Sequence, residues 1–227
     1  MCLVAAGSVI VVGYGTARET PHLPLPVEER TPLSVEDRHL AICASRGDVE
    51  AFTKLVRAHS SLVYRVALRM LGSEYAQDAS QEVWVRVWRN IKSFRGESAF
   101  STWLYRIAVN TCLSARQRES RRQEREYGGG EEIPYLPEPT GGEADPEAAA
   151  LSAERRQEIQ AALQLVRAEH RAALVLRHME GLSYAEIAEV LGIPDGTAKG
   201  WVSRGRAAML IALAEENSGR RRAGGIE

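Results

Sequence analysis

The stretch SYAEIAEVLGIPDGTAKGWVSRGRAAM, residues 183–209, leaves this chain few ways to fold locally. Ser183 stands where an N-cap belongs, and Glu186 follows at the spacing of a capping box. Leu182 precedes the cap and is placed to staple onto Ile187. Ile187, Val190 and Leu191 share the inward face. Gly192 supplies a left-handed C-terminal turn, and Pro194 forbids continuation of the helix. A second helix then begins between Asp195 and Thr197. Its periodicity turns Ala198, Val202 and Met209 inward and Lys199, Ser203, Arg204 and Arg206 outward. That is the layout of a helix-turn-helix whose second helix enters a major groove. An ordinary helical hairpin with a solvated basic face fits less well, because cap, glycine, proline and basic second helix all coincide. Gly200 and Gly205 lie inside the second helix and cost about 1 kcal/mol each relative to Ala. Packing must therefore hold that helix. Trp201 is expected either to pack beneath it or to press on a sugar-phosphate backbone.

The charge balance sets a limit on this reading. Lys and Arg number 29 against 30 Asp and Glu, a net charge of -1. Phosphate neutralisation supplies most non-specific affinity for DNA, so bulk charge alone does not hold this chain on a duplex. The signs are segregated, however. Residues 115–125 (ARQRESRRQER) are basic and residues 126–147 are acidic. Cys2, Cys43 and Cys112 are odd in number and form no CxxC pair, which suits reduced thiols in a cytoplasmic protein. His22, His39, His59, His170 and His178 show no metal-site spacing, so neither metal nor cofactor is expected. His59 falls on an apolar helix face and is expected to be a hydrogen-bonded core residue. The opening MCLVAAGSVIVVGYG lacks the basic start of a signal peptide and is too short to span a membrane. It imitates GxGxxG, but Arg18 occupies the third glycine position. Pro21, Pro24 and Pro26 stand where the fingerprint needs a helix. Residues 1–33 are therefore expected to be a disordered tail or the product of a start codon assigned too far upstream.

Helical periodicity fills most of what remains. One module, residues 34–122, holds four expected helices. Ser34 caps the first, which ends near Gly47, and the second runs from Asp48 to a stop at Gly72. The third covers about 75–93 and the fourth about 99–121. Residues 123–145 are rich in Gly, Pro and Glu and form an expected flexible acidic linker. A second helical module, 146–216, contains the hairpin, and 217–227 is an expected disordered tail. No stretch alternates as a strand would. The fold class is all-α, two small helical domains joined by a linker.

The first module also gathers Trp84, Trp88, Phe94, Phe100, Trp103 and Tyr105 among Arg86, Arg89, Lys92, Arg95 and Arg106. Aromatic rings interleaved with cations suit single-stranded nucleic acid, where each stacked base contributes about 1–3 kcal/mol. Core filling is the competing account, and it holds for several of the rings because their spacing also fits the buried stripes.

At this point DASQEVWVRVW, SFRGESAFSTWLYRIAVN and LVLRHMEGLSYAEIAEVLGIPDGTAK, in that order, resemble the extracytoplasmic-function sigma factors of bacterial RNA polymerase. The resemblance covers about residues 36–216. It implies that Asp78, Gln81, Glu82 and Arg86 dock on the clamp helices of the largest polymerase subunit. It implies that the loop from Phe94 to Ala99, with Arg95 and Ser98, captures a base flipped from the minus-ten element, a step costing a few kcal/mol. Asn110 would help read that element, and Trp103 lies on the duplex-opening surface. Thr197 would contact a phosphate at a helix start. Lys199, Gly200, Ser203 and Arg204 fall where the minus-thirty-five element is read. Gly200 and Trp201 depart from the family pattern, as do Ala79 and the pair Val166-Arg167. The resemblance also implies the flap of the second polymerase subunit and an anti-sigma factor as partners, with no membrane insertion and no small-molecule substrate. The acidic linker would mimic RNA near its exit path through Glu131, Glu132 and Glu138. Selectivity at two short elements, with the polymerase supplying the basic channel, fits a net charge near zero.

Two rival readings fit the residues less well. A stand-alone helix-turn-helix regulator would need a ligand pocket, a phosphoacceptor or a dimer helix before the hairpin. An enzyme would need a nucleophile elbow, a Walker loop, metal spacing or paired carboxylates on a rigid element. The sequence supplies none of these, so the chain is expected not to be an enzyme.

Overall fold

The computed structural model describes residues 35–125 and 146–223. The apolar N-terminal segment, the part of the acidic linker that carries Glu131, Glu132 and Glu138, and the last four residues lie outside the described residues. Among those described, every regular element is helical: α1 (Val35–Ser45), α2 (Val49–Leu71), α3 (Ser73–Asn90), a 3-10 turn (Ile91–Ser93), α4 (Phe100–Arg125), α5 (Pro146–Leu165), α6 (Ala168–His178), α7 (Tyr184–Leu191) and α8 (Asp195–Ala223).

Local chemistry explains most of the boundaries. The Asp48 carboxylate caps α2 by accepting from the Ala51 amide at 3.0 Å, satisfying one of the orphan donors at a helix start. Gly72 ends α2 and begins α3 with φ of 89°, a backbone state a side chain would resist. Two helices run further than their periodicity suggests. α4 continues to Arg125, beyond the expected end near 121, and α8 continues to Ala223, beyond 216. A lone glycine such as Gly219 weakens a helix without ending it.

The first four helices bury Leu55, Val63 and Val66 of α2 against Val83 and Val87 of α3 and Leu104 and Ala108 of α4. α1 crosses α2, where His59 meets Asp37 at 3.0 Å with its ring beside Phe100. This is the hydrogen-bonded histidine that the apolar helix face suggests. The last four helices do not stand apart. The same apolar cluster continues into Ala172, Ala173 and Leu176 of α6, Ile187, Ala188 and Val190 of α7, and Ala198 and Val202 of α8. A smaller cluster of Leu163, Leu174 and Val175 sits under Ile159, Met179 and Met209.

Candidate nucleic-acid interface

The hairpin is assembled by its own short-range bonds. The Ser183 hydroxyl accepts from the Glu186 amide at 3.2 Å. The Glu186 carboxylate accepts from the Ser183 amide at 2.7 Å. Gly192 adopts φ 67°, ψ 37° and returns its amide to the Ala188 carbonyl, which Ile193 also meets at 3.0 Å. The Pro194 carbonyl accepts from Thr197 and Ala198 and starts α8. Ala198, Val202 and Gly205 then face inward, while Lys199, Ser203, Arg204 and Arg206 are exposed and Thr197 and Gly200 are half-exposed.

The two glycines of this helix have different surroundings. A Cβ on Gly205 would lie 2.8 Å from the His170 carbonyl oxygen and 3.3 Å from Leu174 Cβ, so the missing side chain lets α8 approach α6. A Cβ on Gly200 would meet only the tip of Arg204, at 3.4 Å. Arg204 lies over that gap and points its Nε at His170 Nε2, 3.3 Å away. Burial, then Arg204 and Arg167, hold the His170 imidazole below its usual range against the opposing pull of Glu169. A neutral imidazole can accept from Arg204. Trp201 is half-buried with its ring edge-on to His170, centroids 6.1 Å apart. It therefore packs beside the helix. Nothing in the sequence pointed to His170 as Arg204's support, since 34 residues separate them.

The aromatic region of the first four helices is built differently. Phe94, Phe100 and Trp103 form a closed set of ring contacts with centroids 5.5 to 5.8 Å apart. Phe94, Phe100 and Tyr105 are buried and Trp103 is half-exposed. Phe52 packs on Trp84 and Trp88 from below. Most rings are thus core, as the competing account holds; Trp84 and Trp103 are half-exposed and Trp88 is exposed. In the loop between the 3-10 turn and α4, Arg95 is exposed and Ser98 half-exposed. The backbone at Gly96 lies against the Arg38 guanidinium, whose Nε is 2.9 Å from where a Cβ would be. Asn110 is exposed on α4.

On α3, Asp78 and Gln81 are exposed, and Glu82 and Arg86 are half-exposed. Glu82 pairs with Arg86 one turn away and with Arg118 of α4 at 3.0 Å. Burial pushes the Glu82 carboxyl up, but hydrogen bonds from both arginines outweigh it and hold it below the usual carboxylate range. Val85 and Trp88, 47% and 42% exposed, extend the Gln81 stripe at helical spacing. The i, i+4, i+7 relation to Gln81 is a legible signal for these two, whereas Arg118 comes from another helix. Cys112 lies beneath this surface, its thiol pushed up to about 12 by burial and by Glu82, which leaves it unreactive. Among the described residues no cluster of His, Cys, Asp and Glu is arranged to hold a metal, and no helix is long and apolar enough to cross a membrane.

Two family models match the chain: Sigma-70 region 2 over residues 55–122 and Sigma-70, region 4 over residues 156–209. The chain is 34% identical over 171 residues to the ECF RNA polymerase sigma factor SigW of Bacillus subtilis, covering 74% of this chain and 91% of that one. It is 34% identical over 182 residues to the ECF RNA polymerase sigma-E factor of Escherichia coli strain K12, covering 76% and 92%. A structure of CnrH in complex with the cytosolic domain of CnrY superposes with a TM-score of 0.56 at 25% identity, covering 79% of this chain and 98% of that one. The sigma factor RpoE of Bartonella quintana, solved with the anti-sigma factor NepR, gives 0.58 at 24% identity over 72% and 96% of the two chains, a likeness of fold.

Proposed function

The chain belongs to the extracytoplasmic-function sigma factors, and from that membership we propose how its residues divide the work of starting transcription. As an alternative sigma factor it directs the polymerase to promoters. The finer assignment is as follows. Asp78, Gln81, Glu82 and Arg86 dock on the clamp helices of the largest subunit, with Val85 and Trp88 completing that face. The second four helices engage the flap of the second subunit. The loop around Arg95 and Ser98, buttressed by the Phe94–Phe100–Trp103 set, holds a base extruded from the minus-ten element, and Asn110 reads beside it. Extrusion costs a few kcal/mol, least where pairing is weak, and a preformed pocket offsets it with no covalent step. Thr197 meets a phosphate at the α8 start, and Lys199, Ser203 and Arg204 read the minus-thirty-five element in the major groove. Gly200 contributes by leaving room for Arg204. The chain works in the cytoplasm beside the polymerase as a binding protein, the chemistry being the polymerase's own. Its expected regulator is an anti-sigma factor.

The observation that carries this reading is the basic face of α8, exposed behind a fully formed capping box, in a chain whose preceding helices match Sigma-70 region 2. A stand-alone regulator gives no reason for that first region. The test is reconstitution. The purified chain is mixed with bacterial core RNA polymerase and fragmented host DNA, and the run-off transcripts are sequenced. Specific starts sharing two upstream elements are expected. Folded protein that yields neither core association nor specific transcripts overturns the reading.

A further inference from the structure

One residue of α6 meets α8 twice. The His170 carbonyl oxygen lies 2.8 Å from where a Cβ on Gly205 would be, so the bare backbone at 205 brings the two helices close. The His170 ring then reaches Arg204, which is exposed on the outer face of α8. Its Nε2 accepts from Arg204 Nε at 3.3 Å. Arg204 runs back along α8, the direction helical side chains take. Its guanidinium lies over Gly200, where a Cβ would stand 3.4 Å from Nη2 and 3.8 Å from both Cζ and Nη1. Trp201 sets its ring edge-on to His170, centroids 6.1 Å apart. Gly200 and Trp201 both depart from the family pattern, and both belong to this one arrangement.

A guanidinium carries five N–H donors in a flat fork and no acceptor. With Nε committed to His170, the Nη1 and Nη2 donors are the pair left for DNA. In the major groove guanine offers two acceptors side by side, O6 and N7, whereas adenine sets a donor beside its N7. Ordering a free arginine side chain on binding costs a factor of about two to ten in affinity, and a guanidinium already held avoids part of that cost. Only the neutral ring, with Nε2 bare, can accept from Arg204. Once protonated, both ring nitrogens donate, and the ring would face Arg204 cation to cation. The charged groups that face His170 are Arg204 from α8 and Arg167 and Glu169 at the start of its own helix. Burial, Arg204 and Arg167 favour the neutral ring, and Glu169 opposes them. Glu169 is itself paired with Arg167 at 3.0 Å.

We propose that His170 is a positioning residue for promoter reading: its neutral ring holds Arg204 Nε and so aims the Nη1–Nη2 edge at one guanine of the minus-thirty-five element. Gly200 gives the guanidinium its place, and Trp201 walls the ring. This inference rests on the sigma-factor reading, in which α8 reads that element. It makes selectivity at that one base sensitive to acid. The ring's pKa is held below the ordinary histidine value, so the arrangement is complete above that value and is lost as pH falls through the lowered one. Lys199 and Ser203 do not titrate in that range, so their part of the reading persists.

The test uses holoenzyme reconstituted from the full chain and bacterial core polymerase, on promoters found by run-off transcription. Each base of the minus-thirty-five element is changed singly. Arg204→Ala is expected to relax one position, a guanine, by about tenfold. The readout is then the ratio of initiation from the parent promoter to that from the promoter changed at this base, from about pH 6 to pH 8. A ratio cancels titration of the polymerase and any loss of folded protein. His170→Ala is expected to lower the ratio about two- to tenfold at the alkaline end and to abolish its dependence on pH. His170→Gln, whose amide oxygen accepts without titrating, is expected to keep the wild-type ratio at both ends. The wild-type ratio is expected to fall toward the His170→Ala value in acid. A ratio unchanged in His170→Ala overturns the proposal, as does an equal fall in acid for wild type and His170→Gln. A wild-type ratio that rises in acid overturns it too, because the protonated ring then serves the complex. If the relaxed base is not guanine, the aim assigned to the Nη pair is wrong. If Arg204→Ala relaxes no position, or the chain binds no core, the reading of α8 or of the whole chain falls first and takes this proposal with it.

Discussion

In α8 the residues that hold the element and the residues that face outward are different residues. Ala198, Val202 and Gly205 are buried, and Lys199, Ser203 and Arg204 are exposed. In the aromatic region of α3 and α4 the same side chains serve both purposes. Phe94, Phe100 and Trp103 hold each other and shape the loop that carries Arg95 and Ser98. On the proposed assignment, stability and recognition are therefore separable in one region and tied together in the other. A base-capturing pocket needs rigid walls, and rigidity in a small helical bundle comes from close packing. A groove-reading helix needs only a docked back.

The sharpest challenge to that contrast is Phe100→Ala. Phe100 is 2% exposed and touches His59, Phe94 and Trp103. Its removal is expected to cost about 3–5 kcal/mol in urea unfolding and to abolish promoter opening along with it. If stability falls by that much while minus-ten recognition survives, the two roles are not joined and the contrast fails.

Next in size is a pair of changes within α8. Gly205→Ala drives a methyl group toward the His170 carbonyl and is expected to cost about 1–3 kcal/mol, the usual range for overpacking. Gly200→Ala meets only the mobile end of Arg204, so helix propensity dominates and stability is expected to rise by up to about 1 kcal/mol. Thermal melts of the two variants have opposite signs if the docked back and the reading face are as distinct as described.

The sequence made the local features legible. Asp48, Ser183 with Glu186, and Gly192 all act within a few residues, and each does in the structure what its spacing suggests. The Gly200 and Gly205 contrast was not legible, because the neighbours that separate them, Arg204's folded-back tip and the His170 carbonyl, depend on how α6 lies on α8. Nor was the closure of the two halves. Gln160, Gln164 and Arg171 look like ordinary polar positions on their helices, and their partners, carbonyls at the end of α2, are about ninety to a hundred residues away. Hydrophobic period gives each helix one inward face, but it does not say against which distant helix end that face closes. The aromatic cluster was half legible. Ring spacing fitted core and ligand surface equally, and only the mutual ring contacts assign most of the rings to the core.

A smaller effect is expected at the hairpin's start. Ser183→Ala removes the acceptor for the Glu186 amide and leaves the reciprocal bond without its mate. The cost is expected to be about 1 kcal/mol, a drop in Tm of about 2–4 °C for a chain of this size. Because α7 carries α8 into place, minus-thirty-five binding is expected to weaken by no more than that loss of order. A larger fall in DNA affinity than in stability would mean that Ser183 itself touches DNA.

The smallest expected change in stability belongs to Lys199→Ala. The side chain is exposed, and a surface substitution of this kind is expected to stay within about 0.5 kcal/mol of wild type. Its effect on recognition should be large by comparison. If Lys199 bonds a base edge, its loss costs about 1–3 kcal/mol and relaxes preference at one position of the minus-thirty-five element. If it meets a phosphate, binding weakens across all sequences and the salt slope falls by about one. Transcription from promoters with single-base changes, measured at two salt concentrations with the stability recorded alongside, distinguishes the two. Either result leaves α8 as a face whose readers can be removed without unfolding it. A loss of stability as large as that of Ser183→Ala would instead show that the exposed row also helps to hold the helix, and the two regions would then differ in degree only.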